Sequence, residues 1–495
     1  MTDSSLLFCL LFLPLSGALL LLPVWGRPVA TRAVALVISL VELGLACCGL
    51  FCQAATPASG APAGFFLYLD TPWIRSFGIR FTLGMDGISL LLAILTALVT
   101  TVAILVSWRA IEERISLHYL LILVMETGIM GVFLSLDLFL FYLFWEVMLV
   151  PMFFIIGIWG HDRNIYAAVK FFIFTLGGSL LMLLAIIGIY LLHGDQSGNY
   201  TFALVELMKT NVPEGAGLWL YGAFLLAFAV KFPLVPLHTW LADAHTDAPT
   251  AGSVLLAGLL LKTGAYGLIR FGYPLFPDAA RMLTPLLTTL AVTGILYAAW
   301  IAFSQSDLKR LVAYSSIGHM GFVALGIATW RPVALSGALL QMVNHGLTTT
   351  ALFALVGMLD ERAHTREIKA FGGLWGKIPR FSFFVLFFAM ASAGLPGLNN
   401  FVGEFLVLAG NFRVSHLSAC IAFLGVILTL VYTLRFVQRL LFQQERQPLP
   451  LNDLSLRETG LLGCLALADI YLGLHPAPLL EIVRLPIALL VWVAP

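Results

Sequence analysis

Glu146 lies inside the apolar run from Leu136 to Gly157, and Lys262 inside the run from Ser253 to Phe271. Lys231 stands two residues before Pro233 and five before Pro236, where an apolar helix must break because proline lacks a backbone donor and clashes with the preceding turn. A charge at mid-bilayer costs roughly 2.5–3.5 kcal/mol even on the cheaper insertion scales, so such residues face a partner or a wet cavity. His319, His345 and Glu404 fall in other apolar segments, Glu404 eight residues past Pro396. Amines, carboxylates and imidazoles threaded through apolar sequence have the chemistry of a proton path. Histidine titrates close to neutral pH and suits a relay. A carboxylate moving toward or away from a buried amine loads or releases a proton. A three-unit pKa change is roughly 4 kcal/mol, and carrying one charge through about 180 mV also costs roughly 4 kcal/mol.

Weaker candidates surround this set. Lys170 lies near a helix start, where it reaches either the interface or the axis. His238 opens the run His238-Thr-Trp-Leu-Ala-Asp-Ala-His-Thr-Asp247, whose residue types suit a metal. Placed directly after a proline break, it reads as a polar re-entry turn rather than a zinc site. Asp307, Lys309 and Arg310 read as a cytoplasmic anchor flanking a helix, with Asp307 kept as an accessory candidate. Asp137 reads as a helix cap. Glu42, Glu126 and Asp469 are further intramembrane acids, read as structural, although Glu126 stays an accessory candidate.

The elements that must position these groups are membrane helices. Of 495 residues, 60% are hydrophobic and only 11% charged, with mean hydropathy +0.98; a soluble chain carries roughly a quarter charged residues. A net charge of +1 indicates no basic face for nucleic acid. The reading is an all-α polytopic membrane protein with about 14 transmembrane helices, each near 20 residues. The N-terminal apolar stretch reads as a retained helix rather than a signal peptide. Residues 53–85 alternate in a way that suits a small hairpin outside the bilayer, and 479–494 read as an interfacial segment. The six cysteines match no zinc or iron–sulfur spacing and read as small apolar filler. No Gly-rich dinucleotide fingerprint follows a strand, so no redox cofactor and no metal is expected in this chain.

Two segments, 217–248 and 380–412, read as interrupted helices, the second around Gly394, Pro396 and Gly397. Irregular backbone at this depth survives only when buried in protein or lining water. Their spacing suggests two inverted five-helix repeats, helices 4–8 and 9–13, each with a broken helix. The expected organisation is helices 1–3 and an external loop in 1–116, a first repeat in 117–272, a second in 283–440, and a C-terminal helix with an interfacial segment in 441–495. Loops joining odd to even helices carry the larger share of Lys and Arg, among them Arg109, Arg114, Arg163, Lys369, Lys377 and Arg380. The positive-inside rule places these in the cytoplasm and both termini outside.

Five motifs together resemble a known family: FWEVMLVPMFFIIGIWG (144–160), the run from Lys231 to Phe271, SQSDLKRLVAYSSIGHMGF (304–322), MVNHGLTTTALF (342–353) and GLPGLNNFVGEF (394–405). They are similar to the antiporter-like membrane subunits of respiratory complex I, and the match covers nearly all of helices 3–13. Sibling types in that family tend to carry Lys where Glu404 stands, so this chain fits the type that does not. The resemblance implies a proton-pumping subunit of NADH–quinone oxidoreductase in a bacterial inner membrane. Its partners would be the other membrane-arm subunits, with NAD, FMN, iron–sulfur clusters and quinone held elsewhere in the complex. It further implies that Glu146 and Lys231 form a switched pair, that Lys262, His319 and His345 form a central hydrophilic axis, and that Glu404 serves the exit. The chain departs from the family at Ala242, where proline is usual, which should loosen the re-entry turn.

A subunit of a multi-component sodium/proton antiporter shares the fold and most motifs, but more often has Gln where His319 stands. A hydrogenase-linked membrane arm is a further relative. A stand-alone transporter would need a cluster of Ser, Thr and aromatic residues between the broken helices, which this sequence lacks.

Overall fold

Proline and glycine decide where these helices stop. In a computed structural model, whose described residues are 3–53, 60–444 and 451–492, the chain begins with α1 (Asp3–Leu20) and α2 (Pro28–Cys52), followed by a hairpin of β1 (Leu67–Ile74) and β2 (Ile79–Met85). Then come α3 (Gly87–Ala110), α4 (Ile115–Leu134), α5 (Leu138–Val147), α6 (Leu149–Trp159) and α7 (Asn164–Ser197). The middle comprises α8 (Glu214–Lys231), α9 (Thr239–Asp247), α10 (Thr250–Leu275), α11 (Thr284–Ser304), α12 (Leu308–Ala328) and α13 (Pro332–Ala363). The last elements are α14 (Pro379–Ser392), α15 (Asn399–Phe412), α16 (His416–Phe442), α17 (Leu456–Leu474) and α18 (Ala477–Trp492).

Among the described residues, ten helices are long and apolar enough to cross a membrane, or up to eleven if α17 and α18, bent by 67°, count as one. The chain is therefore a mostly helical, multi-pass membrane protein. The membrane-spanning windows of α10 and α13 are wholly buried. They form the centre, with α13 packed on α3, α10, α12 and α15.

Both expected interruptions are present. α8 ends at Lys231 ahead of Pro233, and the chain restarts as α9 at Thr239. α14 ends at Ser392 and α15 starts at Asn399, with Gly394 and Gly397 at φ +77° and +95°, a conformation that favours glycine. A third interruption was not expected. The run around Glu146 is two helices meeting at Met148, because Pro151 has no N–H to return to the Val147 carbonyl. The run His238–Asp247, expected as a turn, is mostly the helix α9. Ala242 is buried within it, and its carbonyl accepts the Thr246 hydroxyl, so the missing proline has left a regular helix.

The hairpin pairs antiparallel, Leu67 opposite Met85, and Asp70 bonds Arg80 at 2.6 Å and Thr82 at 2.8 Å. Burial works against the Asp70 carboxylate, but the bonds from Arg80 and Thr82 outweigh it and hold its pKa below the ordinary value. Asp137 caps α5 as expected, accepting from the backbone N–H groups of Phe139 and Leu140. α18 lies against α3 and α13; residues 493–495, in the segment expected at the interface, fall outside the described residues, as do 54–59 of the hairpin stretch. The cysteines are not all core filler: Cys48, Cys420 and Cys464 are exposed on helix faces.

Candidate functional site

Four of the six principal candidates form one line through the buried centre. Lys262 Nζ lies 2.8 Å from His345 Nδ1. The His345 and His319 rings are 5.6 Å apart, tilted by 52°. His319 Nδ1 lies 2.7 Å from Glu404 Oε1, and His319 Nε2 lies 3.2 Å from Ser392 Oγ. Gln341 donates to the same Glu404 oxygen at 3.2 Å. All four side chains are buried, and they come from four different helices, α10, α13, α12 and α15.

Local backbone accounts for the placement. Residues 256–260 of α10 form a π-turn, a widened turn that releases a carbonyl from the regular ladder. Lys262 donates back to the Ala257 carbonyl inside that turn, so its amine is held at the axis and aimed at His345. On the other side, α13 and α15 approach closely through Gly337 and Gly403. A Cβ at Gly337 would sit 2.7 Å from the Val407 nitrogen, and one at Gly403 would sit 2.4 Å from Gln341 Oε1. Small residues at such crossings let membrane helices touch backbone to backbone, which brings Gln341 onto Glu404.

Chemically, an ammonium at Lys262 donates to His345 Nδ1 and leaves Nε2 to carry the other proton toward His319. Among the described residues, His345 Nε2 has no hydrogen-bond partner. The His319 Nδ1–H donates to a carboxylate, an arrangement that stabilises an imidazolium. Each group can hold a proton and pass it to the next, apart from the one ring-to-ring gap.

Glu146 and Lys231 sit at the flank of this line. Lys231 is 1% exposed at the C-terminus of α8, and its Nζ has no hydrogen-bond partner among the described residues. The amine lies 5.4 Å from the Trp145 ring centroid and 5.6 Å from that of Phe171, near enough for a cation–π attraction. Glu146 is half-buried at the end of α5, with Oε1 buried and unpartnered. The two lie within electrostatic range, yet among the described residues no carboxylate comes within 4.0 Å of Lys231. The two members of the expected switched pair are thus near each other but not in contact.

The accessory candidates separate. Lys170 bonds Asp243 at 2.6 Å, tying α7 to α9. His238 is 3% exposed beside the rings of Tyr297 and Tyr314. Asp307 caps α12 through the Arg310 N–H and pairs with Arg366 at 3.3 Å. Lys309 is no surface anchor. It is 1% exposed and donates to the Ala248 carbonyl at the end of α9. Glu126 lies off the line, close to Glu42, and both carboxylates lack hydrogen-bond partners among the described residues.

Three residues of the site escaped the sequence reading. His245 is fully buried, stacked at 4.5 Å on Phe353, with both ring nitrogens unpartnered; it lies in electrostatic range of Lys309 and Lys262. Gln341, one turn before His345, was a signal available in the 341/345 spacing. Ser392 was hidden in an apolar run. Separately, Asp86 and Arg270 form a buried ion pair at 2.5 Å, with Arg270 Nε also on Tyr266 Oη.

Residues 135–430 match the family model described as NADH:quinone oxidoreductase/Mrp antiporter, TM. NADH-quinone oxidoreductase subunit M of Pseudomonas aeruginosa is 47% identical over 432 residues, covering 86% of this chain and 85% of that one. The protein of the same name from Rhodobacter capsulatus is 40% identical over 507 residues, 98% of this chain and 96% of its own. A chain of the respiratory complex I from Thermus thermophilus with bound NADH superposes with a TM-score of 0.87 at 33% identity, covering 99% of this chain and 100% of that one. A chain of the Mrp complex from Dietzia sp. DQ12-45-1b also gives 0.87, covering all of both chains, but at 20% identity it speaks to the fold alone.

Proposed function

Since the chain belongs to the NADH:quinone oxidoreductase/Mrp antiporter membrane family, we propose that it is the M-type, proton-translocating membrane subunit of an NADH–quinone oxidoreductase. The observation that carries this is the buried line Lys262–His345–His319–Glu404. Such a line has no use in a merely structural span, where each charge adds several kcal/mol of desolvation.

In this reading a proton enters near Lys309 and His245. Its way in is a cleft of about 880 Å³ lined by Arg109, His161, Pro249, Thr250, Asp360 and His364; Pro249 is next along the chain to Ala248, whose carbonyl Lys309 holds. It reaches Lys262, passes along His345 and His319, and leaves through Glu404 beside the second break. Glu146 and Lys231 act as the switch. Their present separation leaves the amine uncompensated, and closing it would hold the ammonium and repel positive charge along the line. One such ion-pair change is on the scale of roughly 4 kcal/mol needed to move a charge against about 180 mV.

The finer architecture follows the same reading. There are 14 spans, with α5–α6, α8–α9 and α14–α15 each counted once and α18 left at the interface. Helices 4–8 and 9–13 are inverted repeats, each holding one broken helix. Both termini face the outside of a bacterial inner membrane. NADH oxidation and quinone reduction take place in partner subunits that hold NAD, FMN, iron–sulfur clusters and quinone, and this chain is the non-redox, translocating part of that enzyme.

The test is NADH-driven proton uptake in proteoliposomes containing the assembled complex, with and without sodium. Lys262→Ala should abolish most uptake. Unimpaired, sodium-independent uptake in that variant would remove the proposed line, and uptake that requires sodium would favour a sodium/proton antiporter.

A further inference from the structure

Asp469 is buried on α17 and takes no part in the line just described. α17 packs on α13 and on both halves of the second broken helix. The Asp469 carboxylate contacts two side chains, Asn399 Nδ2 at 2.7 Å and Thr348 Oγ1 at 3.1 Å. Both belong to a wider polar cluster at the break. Thr348 Oγ1 also lies 3.2 Å from Asn399 Oδ1, and it accepts from Asn400 Nδ2 at 3.2 Å. Asn344, the residue before His345, donates to the Asn399 carbonyl at 2.7 Å and accepts on its own carbonyl from Asn399 Nδ2.

Counting hydrogens exposes a conflict. A threonine hydroxyl has one proton and two lone pairs, yet Thr348 faces two acceptors, Asp469 Oδ2 and Asn399 Oδ1. When Asp469 is ionised, Thr348 must donate to it, because a carboxylate only accepts. When Asp469 is protonated, the acid donates to Thr348 Oγ1, whose own proton turns to Asn399 Oδ1. The hydroxyl proton finds an acceptor in both arrangements, and only the protonated one also places a proton between Thr348 Oγ1 and Asn399 Oδ1, so the cluster has two states separated by one proton.

The second state acts on a helix end. Asn399 is the first residue of α15, whose N-cap, Leu398, offers no side-chain acceptor. Asn399 Oδ1 instead accepts the Asn400 N–H at 2.7 Å, covering one of the helix's orphan donors. The same oxygen has a second lone pair, so a hydroxyl bond from Thr348 adds to that cover and ties the first residue of α15 to α13. Glu404 lies one further turn along α15.

We propose that Asp469 is a positioning residue for proton translocation. Its protonation turns the Thr348 hydroxyl from α17 to the first residue of α15 and so couples the break, and Glu404 beyond it, to a second proton. The inference rests on the translocating role proposed above. In this scheme the proton resides on Asp469 Oδ2 and the Thr348 hydroxyl only rotates, so no proton leaves the cluster through Thr348.

The test uses the whole complex in proteoliposomes together with redox-triggered infrared difference spectra. Asp469→Asn keeps the shape and donor of the protonated acid but cannot ionise. It should assemble, slow proton uptake by about tenfold, as expected from losing one hydrogen bond to a charged group, and erase a carboxylic carbonyl band that changes during turnover. Thr348→Val should keep that band but lose uptake, and Thr348→Ser should restore uptake. Parent-level uptake in Asp469→Asn beside a dead Lys262→Ala overturns this inference and leaves the translocating role intact, whereas normal uptake in both variants overturns both. If Asp469→Asn does not assemble, equal uptake in Thr348→Val and Thr348→Ser overturns the proposal.

Discussion

Replacing Glu404 by glutamine removes a charge while conserving volume. Glu404 Oε1 accepts from His319 Nδ1 at 2.7 Å and from Gln341 at 3.2 Å. A glutamine oxygen still accepts both bonds, so assembly should survive, at a cost of about 0.5–1.5 kcal/mol for weaker bonding. The imidazolium of His319 fares worse. A hydrogen bond to a charged partner contributes about 1.5–3 kcal/mol against about 0.5–1.5 for a neutral one, a loss of about 1 kcal/mol between the middles of the two ranges. Coulomb attraction at 2.7 Å with an effective dielectric of about 20 sets an upper figure of about 6 kcal/mol. A loss of about 1 kcal/mol makes the charged pairing of His319 with residue 404 about fivefold less favoured. If that pairing lies on the path, uptake per NADH oxidised should fall by about that factor. The assay is dye-reported proton uptake by proteoliposomes at matched NADH oxidation rates. Parent-level uptake by an assembled Glu404→Gln complex would show that His319 never carries the proton against this carboxylate.

Three further outcomes are expected. Lys231→Ala should strip proton uptake from an assembled complex, and Lys231→Arg should do nearly the same, since guanidinium does not release its proton; normal uptake by the arginine variant would mean that residue 231 never deprotonates. Gly403→Ala should lower the thermal stability of the purified complex by about 1–3 kcal/mol, because its Cβ would meet Gln341 Oε1 at 2.4 Å and the Gln341 nitrogen at 3.0 Å; an unchanged melting temperature would refute the close crossing. For the hairpin, the folded Asp70 pKa lies below the unfolded one, so its stabilisation is present above the ordinary value of about 3.9 and is lost as pH falls through the lower folded value. Amide exchange in β1 and β2 should therefore be faster in Asp70→Asn than in the parent at neutral pH and equal in strong acid, and equal rates at neutral pH would count against the Asp70–Arg80 bond.

Much of the site was legible because charge in apolar sequence is rare. Lys262, His319, His345 and Glu404 stood out one by one, and the prolines at 233, 236 and 396 announced two of the breaks. What stayed hidden depended on neighbours in space. Lys309 follows Asp307 and precedes Arg310, which is the pattern of a water-facing helix start, and only the end of α9 lying over it explains its burial. His245 sat in a run polar enough to pass for a turn. Pro151 was visible, but its effect was not, because a proline near the start of a helix and one inside a helix look alike until the preceding residues are placed. Asp469 had no partner in its own segment; Thr348 and Asn399 come from helices more than 60 residues away in sequence.

A common logic then explains why these charges are tolerated at depth. The three buried lysines each lie where a helix exposes carbonyl oxygens: Lys231 is the last residue of α8, Lys309 donates to Ala248 at the end of α9, and Lys262 donates to Ala257 inside the π-turn of α10. Helix C-termini carry partial negative charge and unpaired acceptors. The carboxylates beside the second break, Glu404 and Asp469, gather instead around the first turns of α15, where the partial charge is positive. Broken and widened helices are therefore what lets an apolar chain hold ions of both signs. Straightening α10 by removing one residue of the π-turn, for example by deleting Leu259, would return the Ala257 carbonyl to the helix ladder. Lys262 would lose that bond and turn about 100° around the helix relative to the residues before the deletion. Such a variant should lose the Lys262–His345 contact and proton uptake together; uptake that persisted would mean the π-turn does not position the amine.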